Sequence, residues 1–219
     1  MKQLVFLALC SLLASCNDTA DDDAEQPSSE PTALYRVTFE ATWSAATHPG
    51  NYPAGAHFSP LIGVSHTHDA GASLFQPSLP ASPGIKNMAE LGNNTALRTE
   101  INTLIAQGKA FRLLDGRTAT ASPGSLTDTI RLSQTHSALS VVTMIAPSPD
   151  WFAALTVHDL FTGRSWAATR RIPAVFYDAG TDSGPDYTSA DQPTTPVGVV
   201  REVNSLAPPL GYFVLERIK

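Results

Sequence analysis

Residues 34–43 read LYRVTFEATW, and large apolar side chains alternate with mostly polar ones along this stretch. The apolar set comprises Tyr35, Val37, Phe39, Ala41 and Trp43. A repeat of two residues is typical of a β-strand that buries one face and leaves the other in solvent. The stretch therefore predicts a half-buried strand at the start of a globular domain.

Further strand-like segments follow along the chain, at 58–65, 128–132, 138–145, 152–157, 164–169, 174–177 and 211–218. The segments 128–132 and 138–145 lie close enough in sequence to pair as a hairpin. Seventeen prolines and fourteen glycines mark turns between such segments. The pattern predicts a mostly β protein built as an antiparallel β-sandwich.

One clear helix interrupts the strands. Asn94 or Thr95 is expected to cap it and Gly108 to end it. Apolar residues recur between them at helical spacing, at Leu97, Ile101, Leu104 and Ile105. Residues 88–91 predict another helical turn, so we expect one or two short helices beside the sandwich.

The first fifteen residues have the pattern of a secretory signal. Lys2 precedes an apolar run that ends at Leu13, which is too short for a membrane span of about 20 residues. The sequence LASC at 13–16 resembles a bacterial lipobox, which implies cleavage before Cys16 and acylation of that cysteine. Residues 16–31 are acidic and lack large apolar side chains, so we expect a disordered tether. Residues 32–219 are predicted to form one domain.

Composition excludes several function classes. The net charge is −6 and no basic patch appears, so we expect no nucleic-acid partner. The two cysteines are Cys10, within the signal, and Cys16, at the lipid site. The predicted domain therefore has neither thiolate metal ligands nor a cysteine nucleophile.

Two loops carry candidate metal ligands. Residues 178–184 read DAGTDSG, which places Asp178 and Asp182 four residues apart among turn-forming residues, and Asp150 lies in PSPDW at 147–151. Such loops can fold oxygen atoms around Ca²⁺, which takes about 6–8 oxygen ligands. Aspartates also form turns and caps without metal, and this alternative stays open on the loop pattern alone.

Several blocks together resemble the spondin N-terminal domain family, from residue 35 to about residue 200. They are TWS at 42–44, THP at 47–49, AHFSPLIG at 56–63 and the two carboxylate loops. The resemblance implies a β-sandwich similar to calcium-dependent membrane-binding sandwiches, with a bound calcium. It also implies that Asp150, Asp178 and Asp182 ligate this ion, and that the domain is not an enzyme.

We therefore expect a cell-envelope lipoprotein whose calcium-binding domain acts in adhesion or extracellular recognition. Its expected partners are the membrane, through lipidated Cys16, and an unidentified protein or glycan ligand at the surface. Export to the bacterial envelope, with anchoring in the outer membrane, is the expected location. Animal family members carry disulfides and thrombospondin-type repeats, so their own partners do not transfer directly.

Three alternatives use other features. His66 and His68, with His48 or His57, have the residue types of a zinc site, which would suit a metal-dependent hydrolase. His57 and His66 are otherwise expected to be buried, hydrogen-bonded histidines. Ser133 and His136 form a possible hydrolase triad with Asp128 or Asp159, although the chain has no G-x-S-x-G elbow. The third alternative is a structural envelope protein without a soluble ligand.

Overall fold

The computed structural model describes residues 31–50, 52–203 and 208–219. The expected signal segment, Cys16 and the tether up to residue 30 lie outside the described residues. The described part consists mainly of antiparallel strands with two α-helices, so the predicted fold class is confirmed.

The strands are β1 (Thr32–Ala41), β2 (His57–Phe58), β3 (Ile62–His66), β4 (Ala110–Asp115), β5 (Thr120–Ala121), β6 (Gly124–Ser133), β7 (Ala138–Ala146), β8 (Trp151–Val157), β9 (Phe161–Thr162), β10 (Ser165–Trp166), β11 (Thr169–Pro173), β12 (Val175–Asp178), β13 (Arg201–Glu202) and β14 (Gly211–Arg217). The helices are α1 (Pro83–Leu91) and α2 (Thr95–Ala106), and a short 3-10 turn spans Ala70–Ala72.

Two sheets carry the architecture. The first has the order β11-β14-β1-β6. In the second, β13, β12, β8 and β7 follow one another, and the far side of β7 pairs with β3 and with β2. β4 extends the sheet beyond β3, and β5 extends it beyond β2. A separate small hairpin joins β9 and β10.

The apolar residues form two clusters, one on each face of the second sheet. Phe39 and Phe213 of the first sheet meet Phe58, Val141 and Leu155 of the second in one cluster. The other cluster lies between the second sheet and the helices, and includes Val64, Ile85, Ile101, Val142 and Phe152. Three layers result, with the second sheet in the middle.

This layering explains two different sequence patterns. β1 buries every second residue, because the outer face of the first sheet is in solvent. β7 is buried almost throughout, because Val141 faces one cluster and Val142 faces the other. The predicted half-buried strand at residues 34–43 is therefore confirmed as the larger part of β1.

The predicted hairpin between segments 128–132 and 138–145 is wrong. β6 pairs with β1 in the first sheet, whereas β7 pairs with β2, β3 and β8 in the second. A tight turn with a single bridge between Ser133 and His136 carries the chain from one sheet to the other. β6, which is partly exposed, belongs to the outer sheet, and β7, which is buried, belongs to the middle sheet. Proximity in sequence does not decide the pairing.

Two predicted strands are each divided in the structure. Segment 58–65 contains Pro60 and splits into β2 and β3, since proline cannot donate to a strand ladder. Segment 164–169 splits into β10 and β11, because β10 turns back on β9 while β11 joins the edge of the first sheet.

The helices cover the second sheet from outside. In α1, the Ser82 hydroxyl accepts the Ile85 N–H at 3.1 Å, and Gly92 ends the helix in a left-handed conformation. Asn94, one of the two residues expected to cap α2, occupies the N-cap position, but its side chain makes no capping bond. The side chain of Asn93 accepts the Thr95 N–H instead. Neither described helix has the length and hydropathy that a membrane crossing requires.

A bidentate ion pair joins α2 to the end of β4. Arg98 donates to the two carboxylate oxygens of Asp115 at 2.7 and 3.1 Å. This pairing lowers the pKa of Asp115 below its ordinary value of 3.8, despite the opposing effect of burial. Its stabilisation is therefore present above the ordinary pKa and is lost as the pH falls through the lowered folded value.

Asp115→Asn should lower the free energy of unfolding at neutral pH by about 1 kcal/mol, because the bidentate bond loses its charge while partial exposure limits its strength. Urea unfolding would measure the change, and its difference from the parent should shrink in acid. Glu216→Gln is the matched control, since the Arg36–Glu216 pair is exposed at both ends and should matter little. Equal losses of unfolding free energy in both variants would contradict the stabilising role of the Arg98–Asp115 pair.

Candidate metal centre

Asp150 and Asp178 lie side by side at one end of the second sheet. β8 begins directly after Asp150, and β12 ends at Asp178. The antiparallel register places Asp178 opposite Trp151. The Ala179 N–H also donates to the Asp150 carbonyl at 3.2 Å. The two predicted carboxylate loops are therefore neighbours, as the sequence interpretation requires.

The Asp150 carboxylate is fully buried and organises the second loop. Its Oδ2 accepts the backbone N–H groups of Thr181 at 2.7 Å and Asp182 at 3.1 Å, and the Thr181 hydroxyl at 3.2 Å. Its Oδ1 is buried and has no hydrogen-bond partner among the described residues. One half of the carboxylate is thus satisfied by the loop, and the other half is left for another donor or a cation.

The electrostatics of Asp150 point in the same direction. Burial raises the pKa of Asp150, and the nearby charge of Asp178 raises it further. The bonds from Thr181 and Asp182 lower the pKa but do not cancel these effects. A cation between the two carboxylates would favour their ionised forms.

Asp178 is half-buried and already has two kinds of partner. Its Oδ1 accepts the Gly180 N–H at 2.7 Å, and its Oδ2 meets the Arg201 guanidinium at 3.1 Å. Arg201 is mostly in solvent, so its side chain can leave without breaking a buried contact.

The Asp182 carboxylate is engaged within its own loop. Its two oxygens accept the N–H groups of Gly184 and Gln192, each at 2.7 Å. Burial opposes its ionised form, but these two bonds and one shared with Asp191 lower the pKa of Asp182 overall. The same shared bond is the main reason why the pKa of Asp191 is raised. Asp182 thus reaches Asp150 through its backbone N–H.

The structure consequently brings together Asp150, Asp178 and the backbone of Asp182. Across residues 31–50, 52–203 and 208–219, no group of three or more His, Asp or Glu side chains is arranged to hold a metal ion. The orphaned Oδ1 of Asp150 and the all-oxygen donor set nevertheless fit a hard cation such as Ca²⁺. Arg201 and Thr181 are neighbours of these carboxylates whose roles the sequence interpretation missed.

Aromatic packing holds the distal part of this loop on the core. The Tyr187 ring lies 4.8 Å from that of Trp43 and 5.0 Å from that of Trp151. Burial, with the nearby charge of Asp186, raises the pKa of Tyr187 to about 12. Tyr187 is therefore a core residue that anchors the loop, and Trp151 packs with it.

His66, His48 and His57 do not come together in the zinc site considered from the sequence. His66 is fully buried, and its ring nitrogens contact the Thr67 carbonyl at 2.6 Å and the Ser140 hydroxyl at 2.8 Å. Burial is the main reason why the pKa of His66 falls to about 4. His48 contacts the Pro208 carbonyl and His57 the Gly55 carbonyl. The expectation of a buried, hydrogen-bonded histidine is confirmed for His66, whereas His57 is only half-buried.

The candidate hydrolase triad is not assembled either. Ser133 lies 3.0 Å from His136 Nδ1, but its hydroxyl also accepts the His136 backbone N–H as part of a turn. The other ring nitrogen of His136 contacts the Gly108 carbonyl. Asp128 bonds the Thr129 N–H and Asp159 pairs with Arg170, so neither orients His136.

Gly180 should be intolerant of a side chain. It has a positive φ of 73°, and a Cβ there would lie 2.8 Å from the Gly198 carbonyl carbon and the Val199 oxygen. Gly180→Ala should therefore destabilise the protein by more than the roughly 1–2 kcal/mol that a left-handed conformation costs alone. Gly163→Ala is the matched control, because its φ is 55° and its Cβ would meet open space. Thermal melts with equal shifts would contradict this role of Gly180 in the loop.

Comparison with known proteins agrees with this architecture. The family model Spondin_N matches residues 33–210. Spondin-1 of Homo sapiens is 37% identical over 194 residues, which cover 83% of this chain and 23% of spondin-1. Spondin-2 of Homo sapiens is 32% identical over 196 residues, which cover 85% of this chain and 58% of spondin-2. The chain thus spans about a quarter of spondin-1 and somewhat more than half of spondin-2, and it belongs to the spondin N-terminal domain family.

Proposed function

We propose that this protein is an exported recognition or adhesion module that binds Ca²⁺ through Asp150, Asp178 and Asp182. The supporting observation is the Asp150 Oδ1, which is buried without a hydrogen-bond partner among the described residues. An unpaired carboxylate oxygen in a buried place costs free energy, and a cation beside it removes that cost. Asp178 adds a second negative charge at this point, since it raises the pKa of Asp150.

The chemistry of the donors favours calcium over zinc. Carboxylate, carbonyl and water oxygens suit hard cations, whereas zinc prefers imidazole and thiolate ligands. The two loops offer only oxygen donors at Asp150 and Asp178, and Asp182 carries a third carboxylate on the same loop. When bound, the ion supplies a fixed positive charge between the loops.

Recognition is the function that the relatives favour. The chain shares its domain with spondin-1 and spondin-2, and the family resemblance implies recognition or adhesion rather than catalysis. Loops at the end of a rigid sandwich are common places for ligand contacts. We infer that the end formed by residues 147–150 and 179–192 binds a protein or glycan at the cell surface.

Anchoring in the bacterial envelope is the second part of the proposal. The lipobox-like sequence at 13–16 supports acylation of Cys16, and the acidic segment after it supports a spacer between membrane and domain. Two or more acyl chains hold a protein stably on a membrane, whereas one chain binds only marginally.

Calcium removal should lower the melting temperature of the parent protein. A hundredfold excess of calcium over its Kd stabilises by about 3 kcal/mol, which corresponds to about 5–10 °C for a domain of this size. Asp178→Asn should lose most of this shift, yet melt normally in chelator, because an asparagine oxygen can still accept the Gly180 N–H. Differential scanning calorimetry with chelator and with excess calcium would measure both effects.

Asp128→Asn is the matched control for Asp178→Asn. Asp128 lies on β6 in the first sheet, and its side chain accepts the neighbouring Thr129 N–H, so the calcium response of the variant should equal that of the parent. A full calcium shift in Asp178→Asn, or no shift in the parent, would contradict the proposed site.

Cys16→Ser should release the protein from the membrane, because the serine cannot carry the thioether-linked lipid. Fractionation of cells that export the full chain, together with metabolic labelling by a fatty acid, would measure the change. Cys10→Ser is the control and should leave both readouts unchanged. Membrane retention of Cys16→Ser would show that another feature anchors the chain.

A further inference from the structure

A second cluster of possible ligands lies at the opposite end of β8 from Asp150. His158 directly follows this strand, at about 25 Å of extended chain from Asp150. The His158 ring centroid is 5.5 Å from that of His68 and 6.0 Å from that of His66. The cluster is therefore separate from the proposed calcium site.

His158 is available to a ligand. Its side chain is exposed, and its contacts within the described part of the chain are the ring contacts with His66 and His68 rather than hydrogen bonds. A cavity of about 350 Å³ opens beside it, lined by both His68 and His158 and by Asp69, Gln76, Thr156 and Tyr177. An imidazole without a structural partner thus faces a space large enough for an ion and its water ligands.

His68 lines the same cavity and is held by one hydrogen bond. One ring nitrogen, Nε2, lies 3.0 Å from the Ser137 hydroxyl. Such an outer bond orients the ring, and in the tautomer in which Nε2 donates to this hydroxyl, Nδ1 has a lone pair for a metal ion. His66 differs, because both of its ring nitrogens are already hydrogen-bonded, so it serves as the buried wall of the cluster.

The spacing of the two exposed imidazoles matches shared coordination. With metal–nitrogen bonds of about 2.1 Å, two imidazoles on one tetrahedral ion have ring centroids about 5.3 Å apart. The 5.5 Å between His68 and His158 is close to this value. Asp69 adds a negative charge to the same cavity, and its Oδ2 is held by the Thr67 hydroxyl at 3.0 Å.

We propose that His68 and His158 bind one divalent transition-metal ion of the kind that prefers imidazole, such as Cu²⁺ or Zn²⁺, with water in the remaining positions. Two protein ligands predict weaker binding than a structural zinc site with four. Cu²⁺ should bind more tightly than Zn²⁺, in keeping with the usual order of stability for these ions. Imidazole ligands also distinguish this site from the oxygen-lined calcium site.

Isothermal titration calorimetry of the full chain, purified without a polyhistidine tag and kept in excess calcium, would test the proposal. The parent should bind one equivalent of Cu²⁺ or Zn²⁺, and His158→Gln and His68→Gln should each weaken binding by about tenfold or more. His158→Gln is the decisive variant, since an exposed side chain without hydrogen bonds can change without loss of the fold.

Two control variants test whether the metal ion binds at a different histidine or at the proposed calcium site. His57→Gln removes a histidine elsewhere on the second sheet, and Asp178→Asn weakens the proposed calcium site; both should bind the metal like the parent. Electron paramagnetic resonance of the Cu²⁺ complex should show nitrogen coupling that decreases in His158→Gln. Unchanged binding in His158→Gln, loss of binding in His57→Gln, or no saturable binding in the parent would each overturn the proposal.

Discussion

The second sheet is buried on both faces, and this burial decides where the other layers and the loops of the domain can lie. The first sheet covers one face of β7 and β8, and the two helices cover the other. Backbone groups in such a layer have to pair within the sheet, because water cannot reach them. The sheet still contains a bulge between Ser65 and His66 and hydrogen-bonded polar side chains such as Ser140. Both candidate sites lie in the loops at the two ends of β8.

At one end, Asp150 has two roles that its two oxygens divide between them. Oδ2 accepts N–H groups from Thr181 and Asp182, which fixes the second loop against the first whether or not a cation is present. Oδ1 has no such partner among the described residues and is the atom on which a cation would act. Because the hydrogen bonds to Oδ2 already hold the loop, a bound metal ion would strengthen this loop and would not be needed to form it. The same reasoning explains why Asp182 can belong to the site while its carboxylate bonds Gly184 and Gln192.

Sequence patterns predicted those secondary-structure elements whose residues show the burial pattern within a single segment. The alternation in β1 and the apolar spacing in α2 each report a single buried face, so both elements follow from the sequence. The pairing partners of β6 and β7 do not follow from the sequence, because pairing depends on which sheet buries each strand. The short connection between these two strands suggested a hairpin that does not form. Asp150 and Asp178 were predictable as loop carboxylates from the turn-forming residues around them. The roles of Arg201 and His158 were not predictable, because Asp178 and His68 are distant from them in sequence. Only the pairing and packing of the strands bring these residues together.

The two ends of β8 differ in ligand chemistry, with carboxylates before the strand and imidazoles after it. Coupling between distant sites requires an element with two discrete arrangements that both sites bias. β8 is packed on both faces, so we expect it to keep one arrangement. Each proposed site would then act on its own loops, with the middle sheet between them.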